Sequence, residues 1–269
     1  MKPHLALLLP CALLVACGGG GNSSSPGQIQ TPSPVTLNCV DGALINSGNY
    51  RAENNTWGKG ALTGWSQCIG VGAGAGGAVV GRWTWNWPNS GANVKSYPEV
   101  VFGYKPAAST TTQQLPKRVA DIAELTVSYD ITSTHSGSGN TAFDIWLTDT
   151  PLPSTFAVPP ITTEIMVWLE SYGGMLPGGA FTETTAINGT AYDVFVQDNF
   201  GSGGWRYIAF RRVTPQLGSA TLNVKALLDY ARGKALIAGT EYVASVEFGN
   251  EVISGSGDSR LNSLVVSVK

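Results

Sequence analysis

Nine short stretches of alternating apolar and polar residues, separated by breaks rich in glycine, serine and proline, set the architecture open to this chain of 269 residues. They cover residues 79–87, 100–104, 125–131, 143–147, 164–169, 192–196, 205–210, 242–248 and 261–268. Successive side chains on a strand point to opposite faces, so each stretch offers one face to a core and the other to solvent or a ligand. The breaks include Ser136-Gly137-Ser138-Gly139-Asn140, Gly173-Gly174 and Gly201-Ser202-Gly203-Gly204, residue types that supply turns. Many short strands at this spacing predict an all-β fold, an antiparallel sandwich or jelly roll. One segment breaks the rhythm: within 223–234, Leu227, Tyr230 and Ala231 recur at helical spacing and Gly233 lies near the end, predicting a single helix. From residue 37 onward there is neither an internal repeat nor a second linker, so 37–269 is expected to be one domain.

The start of the chain has a different character. Lys2 followed by an apolar run over 5–16 is too short to span a bilayer comfortably and predicts an export signal over 1–16. The run ends Leu14-Val15-Ala16-Cys17-Gly18, which resembles a bacterial lipobox. That resemblance implies lipidation of Cys17 and a membrane-anchored lipoprotein at the periplasmic face or cell surface, or one released from it. An ordinary secretory signal cut near the same place is the alternative. Residues 17–36 then form a Gly/Asn/Ser/Pro tether carrying the lipidated cysteine.

Composition removes several function classes. Only 13% of residues are charged and the net charge is −2. With no run of Lys or Arg, nothing marks a nucleic-acid partner. Of the four cysteines, Cys11 belongs to the signal and Cys17 to the anchor, leaving Cys39 and Cys68 as a pair in an export setting where disulfides persist. Closing that loop stabilises the fold by about 3.5 kcal/mol in the chain-entropy treatment. Two cysteines cannot build a structural zinc site, and no metal or cofactor is called for. His4 leaves with the signal, and His135 lies in a turn-like run, so histidine-driven nucleophilic catalysis is disfavoured. That work falls to carboxylates.

Strand parity shows where those carboxylates lie. In Glu164-Ile165-Met166-Val167-Trp168-Leu169-Glu170, the odd positions are aliphatic and belong in the core. Glu164, Met166, Trp168 and Glu170 share the other face, a suitable floor for a sugar groove. In Phe143-Asp144-Ile145-Trp146-Leu147, Asp144 and Trp146 take the groove side. Over 242–252, Tyr242, Ala244, Val246 and Phe248 are expected in the core, and Ser245, Glu247, Gly249 and Glu251 opposite, with Gly249 either leaving room for a ligand beside Glu251 or marking a bulge. Two carboxyl groups can hydrolyse a glycosidic bond unaided, one as nucleophile or base and the other as proton donor.

Five motifs in order make the pattern specific. They are Asn54-Asn55-Thr56-Trp57-Gly58 with Gln67-Cys68; Trp85-Asn86-Trp87 with 93–98; Ala142-Phe143-Asp144-Ile145-Trp146; 164–169; and Phe248-Gly249-Asn250-Glu251 with Gly255-Ser256-Gly257. Together they resemble glycoside hydrolase family 12. The resemblance implies a β-jelly roll of two curved antiparallel sheets, one helix on the convex side and a substrate groove on the concave face. It implies Glu164 as nucleophile, Glu251 as general acid/base and Asp144 hydrogen-bonded to Glu164. Trp57 and Asn55 would bind a sugar at a negative subsite, with Met166 and Trp168 around the scissile bond. It also implies a Cys39–Cys68 disulfide and a retaining endo-β-1,4-glucanase acting as a monomer on β-glucan, with carboxyls roughly 5–5.5 Å apart. A xyloglucan-specific endoglucanase and a non-catalytic carbohydrate-binding surface lipoprotein are the alternatives. Glu247 adds a carboxylate on the Glu251 face that the family pattern does not explain.

Overall fold

A computed structural model describes residues 35–152, 160–201 and 203–269. The expected signal, the lipidation position Cys17 and nearly all of the tether lie outside the described residues.

Fifteen strands and one α-helix build the domain: β1 (Leu44–Ser47), β2 (Tyr50–Asn55), β3 (Ser66–Ala73), β4 (Val79–Trp87), β5 (Tyr97–Gly103), β6 (Lys117–Arg118), β7 (Leu125–His135), β8 (Ser138–Thr148), β9 (Ile161–Tyr172), β10 (Ala180–Ile187), β11 (Thr190–Phe200), β12 (Trp205–Arg212), β13 (Gly218–Asn223), α1 (Val224–Gly233), β14 (Tyr242–Gly249) and β15 (Val252–Val268). One sheet runs β1-β2-β5-β14-β8-β9-β12-β11-β10. The other runs β3-β4-β15-β7-β13. The all-β jelly-roll expectation therefore holds, with one refinement. β9 and β12 pair in parallel, while every other pair is antiparallel. Since β10, β11 and β12 form a meander, β10 must run in the same direction as β9. The connection 173–179 consequently returns along the sheet, and Gly173, Gly174, Met175, Leu176 and Gly178 from it border the cleft described below.

Between the sheets lies the main core, where Phe143, Ile145, Leu147, Ile165, Val167, Leu169, Ile208 and Phe210 meet Trp83, Val127, Tyr129, Ile131, Leu261 and Leu264. The alternation read from β8 and β9 thus faces the way the pattern predicts. Helix α1 adds Val224, Leu227, Leu228 and Ala231 to this same core, on the side of the sheet away from the cleft. Asn223 caps it, its side chain accepting from the Ala226 N–H at 3.0 Å, which satisfies a donor the first turn cannot.

Parity slips at bulges: in β15 both Leu261 and Leu264, three residues apart, reach the core, and β14 slips once. A bulge between Val243 and Ser245 puts Val243 into the core, while Ala244 packs with Trp146 and Ile161 on the cleft side. The extra residue re-phases β14, so alternation from Tyr242 cannot be carried through it.

The Cys39–Cys68 disulfide is formed, and ties the segment before β1 to β3. Replacing both cysteines by serine is expected to cost about 2–4 kcal/mol of stability, seen as a lower denaturant midpoint with a steeper slope, because the freed unfolded chain exposes more surface.

Candidate active site

The face of the larger sheet away from the core carries an open cleft of about 1650 Å³. Register aligns its floor in rows. Glu247 on β14 stands opposite Asp144 on β8, and Asp144 opposite Met166 on β9. In the next row, Trp146 stands opposite Glu164 and Glu164 opposite Tyr207 on β12. Parity on a flat chain drawing becomes proximity only through this registration.

Glu164 is 8% exposed. The Trp205 indole donates to its Oε2 at 2.6 Å. Trp205 can lie there because residue 203 is glycine: a Cβ would stand 1.8 Å from the indole ring. Burial pushes the Glu164 carboxyl up to about 8, the Trp205 bond opposes this, and the charges of Glu251 and Glu247 push it further. Glu251 follows β14, in the two-residue step to β15 rather than in a strand as the pattern predicts. Asn140 brackets it: Nδ2 donates to Glu251 Oε2 at 2.5 Å and Oδ1 accepts from the Glu251 N–H at 3.0 Å. Burial raises Glu251 to about 7 and the Asn140 bond lowers it. Its neighbour Asn250 is fully buried, bonded to Asn140 and Thr141 on β8 and to Trp83 and Ser259 in the other sheet.

Asp144 is buried, and its Oδ1 has no hydrogen-bond partner among the described residues. It is held well above the usual carboxylate range by burial and by the charges of Glu164 and Glu247. Charge rather than a direct hydrogen bond connects it to Glu164, which differs from what the resemblance implies. Glu247 accepts from the Ser245 hydroxyl at 2.8 Å and meets Lys105 Nζ at 3.3 Å. Lys105 also reaches Glu99 at 2.5 Å and Glu53 at 3.3 Å, and Arg51 holds Glu53 at 2.6 Å.

Toward one end, Trp57 presents its ring to solvent at 66% exposure, with its backbone N–H donating to Asn55 Oδ1. Asn55 Nδ2 is fixed on Glu99 at 2.8 Å. Met166 and Trp168 line the floor but are nearly closed off, and Met166 Sδ accepts from both the Trp168 indole and the Tyr207 hydroxyl. Asn55, Trp57, Asp144, Glu164, Met166, Trp168 and Glu251 therefore all border one cleft.

Two expectations change. Gly249 leaves no ligand space, because a Cβ there would stand 2.2 Å from the Pro98 carbonyl on β5; the glycine permits close approach of two strands. Glu170 is outside the cleft lining and instead binds Thr141 at 2.9 Å and His135 at 3.1 Å. Sequence reasoning missed Trp205, Tyr207, Asn140 and Lys105. Counting back from the core residues Ile208 and Phe210 would have put Trp205 and Tyr207 on the cleft side. Asn140 meets its partner across 111 residues of chain, with no local signal.

The raised Glu164 carboxyl carries a stability consequence. Unfolded, it ionises near 4.5; folded, it keeps its proton to about 8, so the folded state binds more protons and loses stability as pH rises across that interval. Glu164→Gln is expected to leave the melting temperature unchanged near pH 4 and to raise it at pH 8–9 by ~2 °C or more, equivalent to ~1 kcal/mol.

Known proteins agree with this geometry. The profile of Glycosyl hydrolase family 12 matches residues 48–269. Endoglucanase S of Pectobacterium parmentieri is 32% identical over 86% of this chain and 86% of its own length. The inactive glycoside hydrolase XLP1 of Phytophthora nicotianae is 24% identical over 81% of this chain and 85% of its own. Among solved structures, a family 12 xyloglucanase from Bacillus licheniformis in complex with ligand superposes with a TM-score of 0.75 at 30% identity, covering 88% of this chain and 100% of that one. A profile match over most of the folded part, joined to a paired-carboxylate cleft on the same sheet architecture, leaves one conclusion: the chain belongs to glycosyl hydrolase family 12.

Proposed function

We propose that the protein is a retaining endo-β-1,4-glucanase in which Glu164 is the nucleophile and Glu251 the general acid/base. One observation carries this reading: a buried carboxyl and a half-buried one, from different elements, border one open cleft, each held by its own side-chain donor. Since one relative is an inactive glycoside hydrolase, the reading rests on the two carboxyls of this cleft and not on family membership alone.

In the first step a Glu164 oxygen bonds to the anomeric carbon while Glu251 gives its proton to the departing glycosidic oxygen. In the second, the Glu251 carboxylate takes a proton from water, whose oxygen displaces Glu164 and releases the sugar. The two groups titrate as a pair, so one proton stays in the cleft near neutrality. Burial raises both carboxyls above the usual carboxylate range, and the reacting form is the one with the proton on Glu251 and the charge on Glu164. A glycosidic oxygen arriving beside Glu251 offers the proton an acceptor there, and the Trp205 N–H stabilises the charge left on Glu164. Trp57 supplies an exposed ring against which a pyranose stacks, with Asn55 beside it.

A xyloglucan-specific reading is favoured by the rim at Gly174 and Gly201, where a Cβ would meet open space or only the edge of Trp205 at 3.8 Å, leaving room for a branched backbone. Reducing-sugar release from barley β-glucan, carboxymethylcellulose and xyloglucan separates the two, and a single favoured polymer names the substrate. Glu164→Gln and Glu251→Gln are each expected to lower kcat by ~10³-fold. Binding without turnover in the unaltered protein would make it a carbohydrate-binding lipoprotein instead. The kcat/KM profile should fall on its basic side between about pH 7 and 8, as the pair loses its last proton.

The same reading places the enzyme outside the cytoplasm, anchored through lipid on Cys17, which Leu14-Val15-Ala16-Cys17 and the following tether support. Incorporation of labelled palmitate should vanish in Cys17→Ser, and label that persists in this variant would remove the anchor.

A further inference from the structure

Beside the catalytic pair lies a second group of charges that hydrolysis by two glutamates does not require. Lys105, two residues beyond the end of β5, folds back to contact three carboxylates from three strands: Glu53 on β2, Glu99 on β5 and Glu247 on β14. Glu99 is wholly buried, and Glu247 is 1% exposed. Neither can dispose of its charge into solvent, so the single ammonium and the neighbouring carboxyls settle how it is shared. Arg51 already answers Glu53. Glu99 and Glu247 share the Lys105 ammonium, and of the two Glu99 keeps the proton: burial holds it well above its ordinary range, while Lys105 holds Glu247 below.

Glu247 then stands opposite Asp144, which is next to the Glu164 row. The hydroxyls of Tyr97 and Tyr207 also face these acids, and both stay protonated because burial and the surrounding acids push them up. With Asp144, Glu99 and the proton donor Glu251 neutral, the cations Arg51 and Lys105 match the anions Glu53 and Glu247. The charge of Glu164 is left over.

We propose that Lys105 is a positioning residue for the reaction: its ammonium neutralises Glu247, so that the nucleophile carboxylate is the one uncompensated charge beneath the cleft. The proposal rests on Glu164 as nucleophile. Without the ammonium, an ionised Glu247 competes with Glu164 for the right to be charged, and ionisation of the nucleophile moves to higher pH. A Lys105 that merely ties three strands together would change stability and leave that ionisation where it is.

Two readouts on the full-length protein decide the matter: the acidic limb of kcat/KM, and a ¹³C NMR titration of carboxyl-labelled glutamates with the Glu164 signal identified by its loss in Glu164→Gln. Lys105→Met is expected to move both upward by about half a pH unit or more, less than the 1–3 units of a contacting charge. Glu247→Gln should move both downward, the double variant should return to the starting values, and Lys105→Arg should not move them. An unmoved limb and titration in Lys105→Met, or a shift that persists in the double variant, overturns the proposal. If Lys105→Met does not fold, Glu247→Gln decides alone, because an unmoved midpoint there overturns it equally. A Glu164→Gln variant that remains active would instead refute the nucleophile assignment, and the NMR titration would still report whether Lys105 acts on Glu164.

Discussion

Crowding of acids beneath an open cleft is the constraint on which the rest of this structure depends. Glu53, Glu99, Asp144, Glu164, Glu247 and Glu251 are all buried or nearly so around one surface, with Arg51 and Lys105 as the cations in contact with them. Full ionisation of such a group is prohibitively costly in a low-dielectric setting. Protons must therefore remain on some of its members at neutral pH, and a remaining proton is the reagent that glycosidic cleavage consumes. The same repulsion that burdens the fold supplies the chemistry, which is why the acid side chains are fastened so heavily by Trp205, Asn140, Ser245 and Lys105.

Much of the frame was legible in the chain. Alternation in β8 and β9 assigned Phe143, Ile145, Ile165 and Val167 to the core, and their neighbours Asp144, Glu164 and Met166 to the cleft, because period-two patterning is a direct image of a half-buried strand. Helix α1 announced itself through spacing and its terminal residues. Strands β1, β2, β3, β6, β10 and β13 escaped notice. In β10 the burial pattern is mostly exposed or intermediate, as suits a strand at the sheet edge, so no apolar face was available to mark it.

What remained hidden depends on register and on long-range contact. The bulge in β14 re-phases the alternation before it, so that Val243 replaces Tyr242 and Ala244 as the core member, and no composition cue marks the slip. Asn140 and Lys105 acquire their roles from partners brought by other strands. Gly249 carried a misleading signal, since a small residue beside an acid resembles ligand space until the neighbouring strand is seen to occupy it.

The two catalytic candidates are mounted very differently. Glu164 lies in the interior of a strand paired on both sides, whereas Glu251 occupies the step at which the chain leaves the cleft sheet and enters β15, whose first residues still pair with β8 before the strand joins the outer layer. Asn250, beside it, is bolted to both layers at once. The gap between the two carboxyls is thus a dimension of the joint between layers, comparable to the jaw spacing of a vice whose screw is a buried asparagine. The outer sheet, far from the cleft, therefore shares in holding that spacing.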